Sequence, residues 1–257
     1  MPDSTAGKPC HTTLESPPCA NNTRELPVCH YWWIGSLSYE EARQLQENLA
    51  QQIATGNAPP TLLLLEHPHT YTIGRRGTEQ NLLWDAATCA ERGISVHWID
   101  RGGDITYHGP GQLVGYPLLP LGEIIAPSRP HEPPKAEYIT YLRQLEEMLI
   151  QALESLGVLG FQVPGKTGVW VRNNDRGEKL ASIGVKVDAQ GITRHGFALN
   201  VSPDMSYWQG IVPCGLINER MTSLAALLSS PPSIQQVCEA VIRAFCERFH
   251  YHMVKYP

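Results

Sequence analysis

Residues 101–121, RGGDITYHGPGQLVGYPLLPL, form the most informative stretch of the chain. The stretch opens with an arginine and two glycines, gathers polar and aromatic side chains around a second glycine cluster, and ends in an apolar run. The run at 112–119 predicts a buried strand, and the glycines before it predict turns. The stretch is therefore either a turn between strands or the wall of a pocket. It contains no cysteine, so a thiol nucleophile would have to come from elsewhere in the chain.

The apolar periodicity around this stretch predicts the fold class. Three helices are expected, at 38–54, 137–157 and 233–249. Strand-like runs lie at 61–67, 94–100, 112–119, 167–171, 182–187 and 193–201. Strands outnumber helices, and several strands join directly through turn-like sequences. We therefore expect an α/β (α+β) fold with a mixed, largely antiparallel sheet flanked by helices.

Length and composition set the remaining bounds. The 257 residues suit a single catalytic domain at 28–257, preceded by a flexible N-terminal extension at 1–27 and interrupted by a proline-rich loop at 123–137. No apolar run approaches the ~20 residues of a membrane span. The net charge of -5 provides no basic field for nucleic acid. With no secretory signal at the N-terminus, the sequence predicts a cytoplasmic protein that binds neither membrane nor nucleic acid.

Residues 160–167, GFQVPGKT, match the phosphate-loop pattern G-x-x-x-x-G-K-[ST]. In a true phosphate loop, the glycines follow a strand and open a helix, whose N-terminal N–H groups bind phosphate. Here a predicted helix precedes the pattern and a strand-like run follows it, and Pro164 removes one amide from the loop. The context therefore argues against a nucleotide site.

Four residues are candidates for chemistry. Cys214 lies in IVPCGL, where proline and glycine could present the thiol to a cleft, although a buried structural thiol is the ordinary alternative. A nucleophilic thiol needs a partner that takes its proton or stabilises the thiolate, and His108, His195 and Lys179 are the candidates. The competing interpretation of the two histidines is a structural role with satisfied hydrogen bonds. The competing interpretation of Lys179 is a solvated residue at a strand end.

A metal site is not favoured by the sequence. His67 and His69 form an H-x-H pair, but no acidic or cysteine cluster accompanies them, and Pro68 argues against a regular strand. The seven cysteines include no C-x-x-C pair.

Taken together, these blocks resemble the lipoyl(octanoyl)transferase family of the LipB type over about residues 30–250. The family signature R-G-G-x-x-T-aromatic-H-x-x-G-Q-x-x-x-Y is filled by residues 101–116. The blocks EHPHTYTIGRRG, KLASIG, HGFALN and PCGL follow the family pattern as well.

The resemblance implies a fold, an activity and partners. The fold is the catalytic domain shared with biotin and lipoate protein ligases. The activity is transfer of an octanoyl group from octanoyl-acyl carrier protein to a lysine of a lipoyl domain in lipoate biosynthesis. The acceptors are lipoyl domains of 2-oxoacid dehydrogenase complexes and the glycine cleavage H protein. Because the donor is already a thioester, neither ATP nor another cofactor is expected.

The resemblance also implies the site residues. Cys214 carries the acyl group as a thioester, and Lys179 activates it. The expected substrate-binding residues are Arg101, Gly102, Gly103, Asp104, Ile105, Thr106, Tyr107, His108, Ser182, Ile183, Gly184, Gly196, Phe197 and Ala198. Glycines 102, 103, 184 and 196 are expected to let backbone approach the acyl chain and to offer N–H groups to a developing oxyanion. An ATP-dependent lipoate or biotin ligase, and a non-catalytic binding module on the same fold, are the rival hypotheses.

Overall fold

The computed structural model of the chain describes residues 26–121, 135–173, 176–213 and 219–257. The predicted extension at 1–27 lies almost entirely outside the described residues, as does most of the proline-rich loop. Cys214 also lies outside them. The division into extension and single domain therefore stays a prediction.

Eleven strands form two sheets in the described residues. In chain order they are β1 Val28–Ser36, β2 Thr61–Glu66, β3 Thr70–Ile73, β4 Ser95–Trp98, β5 Ile105–His108, β6 Gln112–Leu118, β7 Gly160–Val163, β8 Lys166–Asn173, β9 Arg176–Val187, β10 Thr193–Asn200 and β11 His252–Lys255. The larger sheet has the order β11-β1-β2-β6-β10-β9-β8-β7, and the smaller has the order β4-β3-β5.

Five α-helices accompany the strands in the described residues. They are α1 Tyr39–Ala54, α2 Ala86–Glu91, α3 Lys135–Ser155, α4 Leu224–Leu227 and α5 Ile234–Phe249. Ser38 and Glu41 form a capping box at the start of α1, and Ser233 and Gln236 form one at the start of α5. Each box satisfies N–H groups that the first turn leaves unbonded, so the helix begins where the sequence predicts.

Strand β2 shows how the larger sheet is covered on both faces. Its residues are TLLLLE, and all four leucines are fully buried. Leu62 and Leu64 pack in the cluster that contains the apolar faces of α3 and α5, whereas Leu63 and Leu65 pack in the cluster that contains α1. Successive side chains of a strand point to opposite faces, so a continuous apolar run predicts burial on both sides.

The strand pairing confirms the predicted fold class. The pairs β2·β6, β6·β10, β9·β10, β8·β9 and β7·β8 are antiparallel, and β1 pairs in parallel with both β2 and β11. The sheet is thus mixed and largely antiparallel, with helices on its faces. Strands β1, β3, β5, β7 and β11 were not among the predicted runs.

The phosphate-loop pattern at 160–167 forms a hairpin and not a strand–loop–helix. Strand β7 turns directly into antiparallel β8, with Gly165 at φ 79° in the turn. No helix N-terminus follows the glycines, so the strand predicted after the pattern is confirmed and this segment lacks the geometry of a phosphate loop. Within the described chain, no helix has both the length and the apolar character to cross a lipid bilayer.

Candidate active site

A cavity of about 390 Å³ lies between the smaller sheet and strands β9 and β10. Thirteen of the sixteen predicted site residues line it: Arg101, Gly103, Asp104, Ile105, Thr106, His108, Lys179, Ser182, Ile183, Gly184, Gly196, Phe197 and Ala198. Segments separated by more than 70 residues thus meet in one pocket because β5 and the loop before it face β9 and β10. The opening stretch is a pocket wall, as one of its two interpretations proposed.

Gly102 and Tyr107 do not line the cavity. The Gly102 N–H donates to the Val185 carbonyl at 3.0 Å, so it is not available to an oxyanion, and that part of the expectation is wrong. Tyr107 is in contact with a separate aromatic cluster, where it stacks on Tyr207 at 5.4 Å between ring centroids and its hydroxyl lies 2.9 Å from His69 Nδ1. The Tyr107 side chain lies on the face of β5 opposite to those of Thr106 and His108, where it packs in the same cluster as Ile105.

The polar residues of the opening stretch form one buried network. Arg101 donates to the hydroxyl and carbonyl oxygens of Thr72, and the Thr72 hydroxyl lies 3.3 Å from His108 Nε2. His108 Nδ1 is 2.8 Å from Gln112 Oε1. Gln112 donates in turn to Asn200 Oδ1 at 2.9 Å. The cavity wall is therefore braced by hydrogen bonds across β3, β5, β6 and β10.

His108 has the geometry of a bracing residue and not of a general base. Gln112 Oε1 can only accept, so His108 Nδ1 carries the proton and Nε2 accepts from Thr72. Burial holds the pKa of His108 well below its usual value, with a smaller contribution from His67. The ring is thus neutral, and both of its nitrogens are engaged.

His195 occupies an unusual position in the wall. It has φ 57°, a left-handed conformation that is uncommon for a residue other than glycine. Its backbone N–H donates to the buried Gln46 side chain at 2.8 Å, and Nε2 lies 3.0 Å from Asp100 Oδ1. Burial lowers the pKa of His195, and the hydrogen bond from His195 lowers the pKa of Asp100. His195 lines the cavity, as a candidate partner of the thiol would, although the family resemblance did not place it among the substrate-binding residues.

Lys179 is buried, with 3% of its surface exposed, in the wall that β9 contributes. Its ammonium lies 5.4 Å from the centre of the Trp170 ring, on which a cation is favourably held. Gly168 makes room for it: a Cβ there would lie 2.6 Å from Lys179 Cε, and the backbone has φ 125°. Only glycine readily provides both that space and that conformation.

The backbone of Lys179 anchors the segment that follows Cys214. The Lys179 N–H donates to the Arg220 carbonyl at 2.8 Å, and the Lys179 carbonyl accepts from the Thr222 N–H at 2.9 Å. On the other side of 214–218, the Val212 N–H donates to the Asn81 carbonyl at 2.8 Å. Asn81 also donates to the cavity residue Asp104 at 2.6 Å. Both described flanks of the cysteine segment are thus fixed beside the cavity.

Several cavity residues were missed. Lys166, Thr167 and Glu219 line the cavity next to Lys179, and Tyr39 and Tyr116 line it elsewhere. Lys166 and Thr167 were considered only as part of a nucleotide loop, and no local pattern distinguishes Glu219. Tyr116 fills the last position of the family signature, so it could have been included.

The Tyr116 hydroxyl is held by a buried histidine. His67 Nδ1 donates to the Leu37 carbonyl at 2.8 Å, and Nε2 accepts from Tyr116 at 2.7 Å. Burial lowers the pKa of His67 to about 4. Both ring nitrogens are engaged within the protein. Among the described residues, no group of three or more His, Cys, Asp or Glu side chains could hold a metal ion.

We expect His67 to make stability depend on pH. Its pKa is below that of a free histidine, so the unfolded chain gains a proton first as the pH falls below about 6.5. Stability is then lost between pH 6.5 and about 4, and His67 alone costs about 2 kcal/mol at pH 5. Urea unfolding at pH 7 and 5 measures this loss. The His67→Gln variant should be less stable at pH 7 but should lose less stability between pH 7 and pH 5 than the wild type. An unchanged slope in His67→Gln would contradict the assignment.

Comparison with known proteins identifies the class of this site. Residues 38–246 match the model of the lipoyl protein ligase A/B catalytic domain. Two solved structures share the fold. The first is a bipartite lipoate protein ligase from Thermoplasma acidophilum, with a TM-score of 0.65, 18% sequence identity, and coverage of 90% of this chain and 88% of that one. The second is lipoate-protein ligase A bound with ATP, with a TM-score of 0.63, 17% sequence identity, and coverage of 90% of both chains. The chain therefore belongs to the lipoyl protein ligase A/B catalytic-domain family.

Curated relatives narrow the class. The octanoyltransferase of Chloroflexus aggregans is 41% identical over 88% of this chain and 96% of its own length. The octanoyltransferase of Syntrophotalea carbinolica is 48% identical over 82% of this chain and 90% of its own length. The chain is an enzyme, an acyltransferase of the octanoyltransferase group, and the resemblance drawn from its sequence is confirmed.

Proposed function

We propose that this enzyme transfers an octanoyl group from octanoyl-acyl carrier protein to a lysine of a lipoyl domain, through a thioester on Cys214. The observation that carries the proposal is the anchoring of the described residues on either side of 214–218. Buried Lys179 binds the Arg220–Thr222 backbone on one side of 214–218, and Val212 is fixed on the other. The described residues on both flanks of 214–218 are thereby held beside a cavity whose wall contains a lysine.

The first half-reaction loads the enzyme. Lys179 takes the proton of the Cys214 thiol, and the thiolate attacks the carbonyl of the donor thioester. A bond forms between the acyl carbon and Cys214 sulfur, the bond to the carrier sulfur breaks, and the carrier thiol leaves with the proton. One thioester replaces another, so no energy from ATP is required.

The second half-reaction delivers the acyl group. The lysine amine of the acceptor attacks the thioester carbonyl, a C–N bond forms, and the bond to Cys214 sulfur breaks. The nitrogen loses two protons in passing from ammonium to amide; one returns to the thiolate and the other reaches solvent. Lys179, beside the thioester, can relay these protons.

The cavity suits an aliphatic acyl chain. Ile183, Phe197 and Ala198 contribute apolar surface, and the wall residues Arg101 and His108 are engaged in the bracing network. Ligand pockets are commonly apolar, with few polar groups that fix orientation. A volume of about 390 Å³ accommodates a medium-length chain together with the reacting thioester.

The acceptors proposed are lipoyl domains of 2-oxoacid dehydrogenase complexes and the glycine cleavage H protein. One similar structure is that of a lipoate protein ligase and its E2 lipoyl domain from Thermoplasma acidophilum, which supports this class of partner. Cytoplasmic location remains a prediction from the sequence.

Intact-mass analysis tests the proposal. The enzyme is incubated with octanoyl-acyl carrier protein, with no ATP, and the expected product is one octanoyl adduct that disappears when apo lipoyl domain is added. A parallel reaction contains free octanoate and ATP. Modification of the lipoyl domain only in that second reaction would reject the proposal and favour an ATP-dependent ligase, whose fold one similar structure, bound with ATP, shares.

A further inference from the structure

A buried carboxylate in the cavity wall has no part in the reaction described so far. The Glu219 side chain is 4% exposed and lines the cavity with Lys179. Neither of its oxygens has a hydrogen-bond partner among the residues that the structure describes. Burying a charged group without hydrogen bonds is unfavourable, so the carboxylate needs a cationic ligand.

Lys166 supplies a cation, but a readily displaced one. Its ammonium lies 3.3 Å from Glu219 Oε1, and its side chain is 44% exposed. It begins β8 next to the turn residue Gly165, at the surface end of the β7–β8 hairpin. An ion pair with a half-exposed lysine contributes little to stability, and the ammonium also lies 5.4 Å from the centre of the Trp170 ring. A second ammonium entering from the cavity could therefore replace it.

The position of Glu219 is fixed relative to Lys179. Arg220, the next residue, accepts the Lys179 backbone N–H, and Met221 forms a parallel bridge with Lys179. The two side chains therefore contribute to one end of the same cavity. A cation bound to Glu219 would lie beside the residue that the proposed reaction uses for proton transfer.

The other carboxylate of the described cavity wall is already engaged. Asp104 Oδ2 accepts from Asn81 at 2.6 Å, and Oδ1 accepts from the Ile105 N–H at 2.7 Å. Asp104 therefore has less capacity to bind an entering ammonium. Of the two carboxylates, Glu219 combines burial, absence of hydrogen bonds in the described structure and proximity to Lys179.

We propose that Glu219 binds the ε-ammonium of the acceptor lysine, displaces Lys166, and holds that nitrogen beside the acyl group. The inference rests on the proposed function. A lysine side chain is charged at neutral pH, so it can enter a partly apolar cavity only if an anion receives it. Glu219 does not alter the proton balance of the transfer, because it binds the cation before the nitrogen loses its first proton.

Two substitutions separate this role from a structural ion pair. Glu219→Gln keeps the shape of the side chain and removes its charge, and Lys166→Ala removes the competing ammonium. Enzyme that has first been loaded with octanoyl groups is mixed with increasing concentrations of apo lipoyl domain, and single-turnover transfer is followed by intact mass. The rate of loading from octanoyl-acyl carrier protein is the internal reference. The exposed Glu154→Gln on α3 is the matched control, and thermal unfolding verifies that each variant is folded.

The two variants should change transfer in opposite directions. Glu219→Gln should raise the acceptor concentration for half-maximal transfer about 10- to 100-fold, because a charge-assisted hydrogen bond is lost. Lys166→Ala should lower it about threefold. Equal weakening by both variants would assign the pair to hairpin structure and overturn the proposal. The proposal would also be overturned if Glu219→Gln left the half-maximal acceptor concentration unchanged. The same holds if Glu219→Gln slowed loading from octanoyl-acyl carrier protein as much as it weakened transfer to the lipoyl domain. Failure of the wild type to form any adduct would instead reject the function on which the inference rests.

Discussion

Replacing Cys214 with alanine should abolish octanoyl transfer. In the proposed mechanism the Cys214 sulfur forms the covalent intermediate, so without it the acceptor amine would have to attack the carrier thioester directly. Loss of a nucleophile in such enzymes lowers kcat by about 10⁴-fold or more. The measurement is the initial rate of lipoyl-domain octanoylation together with the mass of the enzyme after exposure to the donor. The alanine variant should show neither product nor adduct.

Other thiols in the described structure are poor substitutes for Cys214. Cys29, Cys89 and Cys238 are buried free cysteines, and burial raises the pKa of each thiol. A thiol with a raised pKa supplies little thiolate at neutral pH. Cys89→Ala, in the small cluster away from the cavity, is therefore the matched control and should keep both adduct and turnover. A Cys214→Ala enzyme that retained near-normal activity would reject the covalent mechanism.

Replacing Lys179 with methionine should lower the rate about 10³-fold, within the usual range for loss of a general base. Methionine preserves much of the length and apolar surface of the side chain, so the buried position stays filled. The residual rate should rise with pH up to the titration of a free thiol near pH 8.5, since the thiolate then forms without assistance. The measurement is the pH profile of adduct formation from pH 6 to 9.

A lysine-to-arginine change distinguishes proton transfer from charge. Arginine keeps the positive charge but does not lose its proton in this pH range. If Lys179 acts as a base, Lys179→Arg should be nearly as inactive as Lys179→Met. If its charge alone stabilises the thiolate, the arginine variant should retain much of the activity and the base role would be wrong. Exposed Lys255→Met serves as the control for removing a lysine.

The three long helices α1, α3 and α5 and the pocket wall were predictable because their signals are local, whereas the short helices α2 and α4 were not predicted. Capping boxes mark the starts of α1 and α5, and the leucine run of β2 specifies burial on both faces. The signature at 101–116 predicted the wall through the family resemblance, which its own consecutive residues carry. Arg101, His108 and Gln112 belong to a single hydrogen-bond network, together with Thr72 and Asn200.

The remaining site could not be predicted because its signals are not local. Glu219 acquires its meaning only when the segment after Cys214 pairs with Lys179, 40 residues earlier in the chain. Lys166 belongs to the phosphate-loop pattern at 160–167. Once a nucleotide site had been rejected there, the sequence offered no other role for this residue. Tyr107 was grouped with Thr106 and His108 because β5 was not predicted as a strand, and only a strand places its side chain on the opposite face.

The parallel pairing of β1 with β11 affects how this chain can fold during synthesis. Strand β1 leaves the ribosome more than 200 residues before β11, yet its outer edge is closed only when β11 adds to it. Until then the growing chain exposes an unpaired edge, a template on which a second nascent chain can pair. Variants that delay or weaken β11 should therefore reduce the yield of folded enzyme. They should affect the activity of the folded molecules less, because the cavity lies several strands away from that edge.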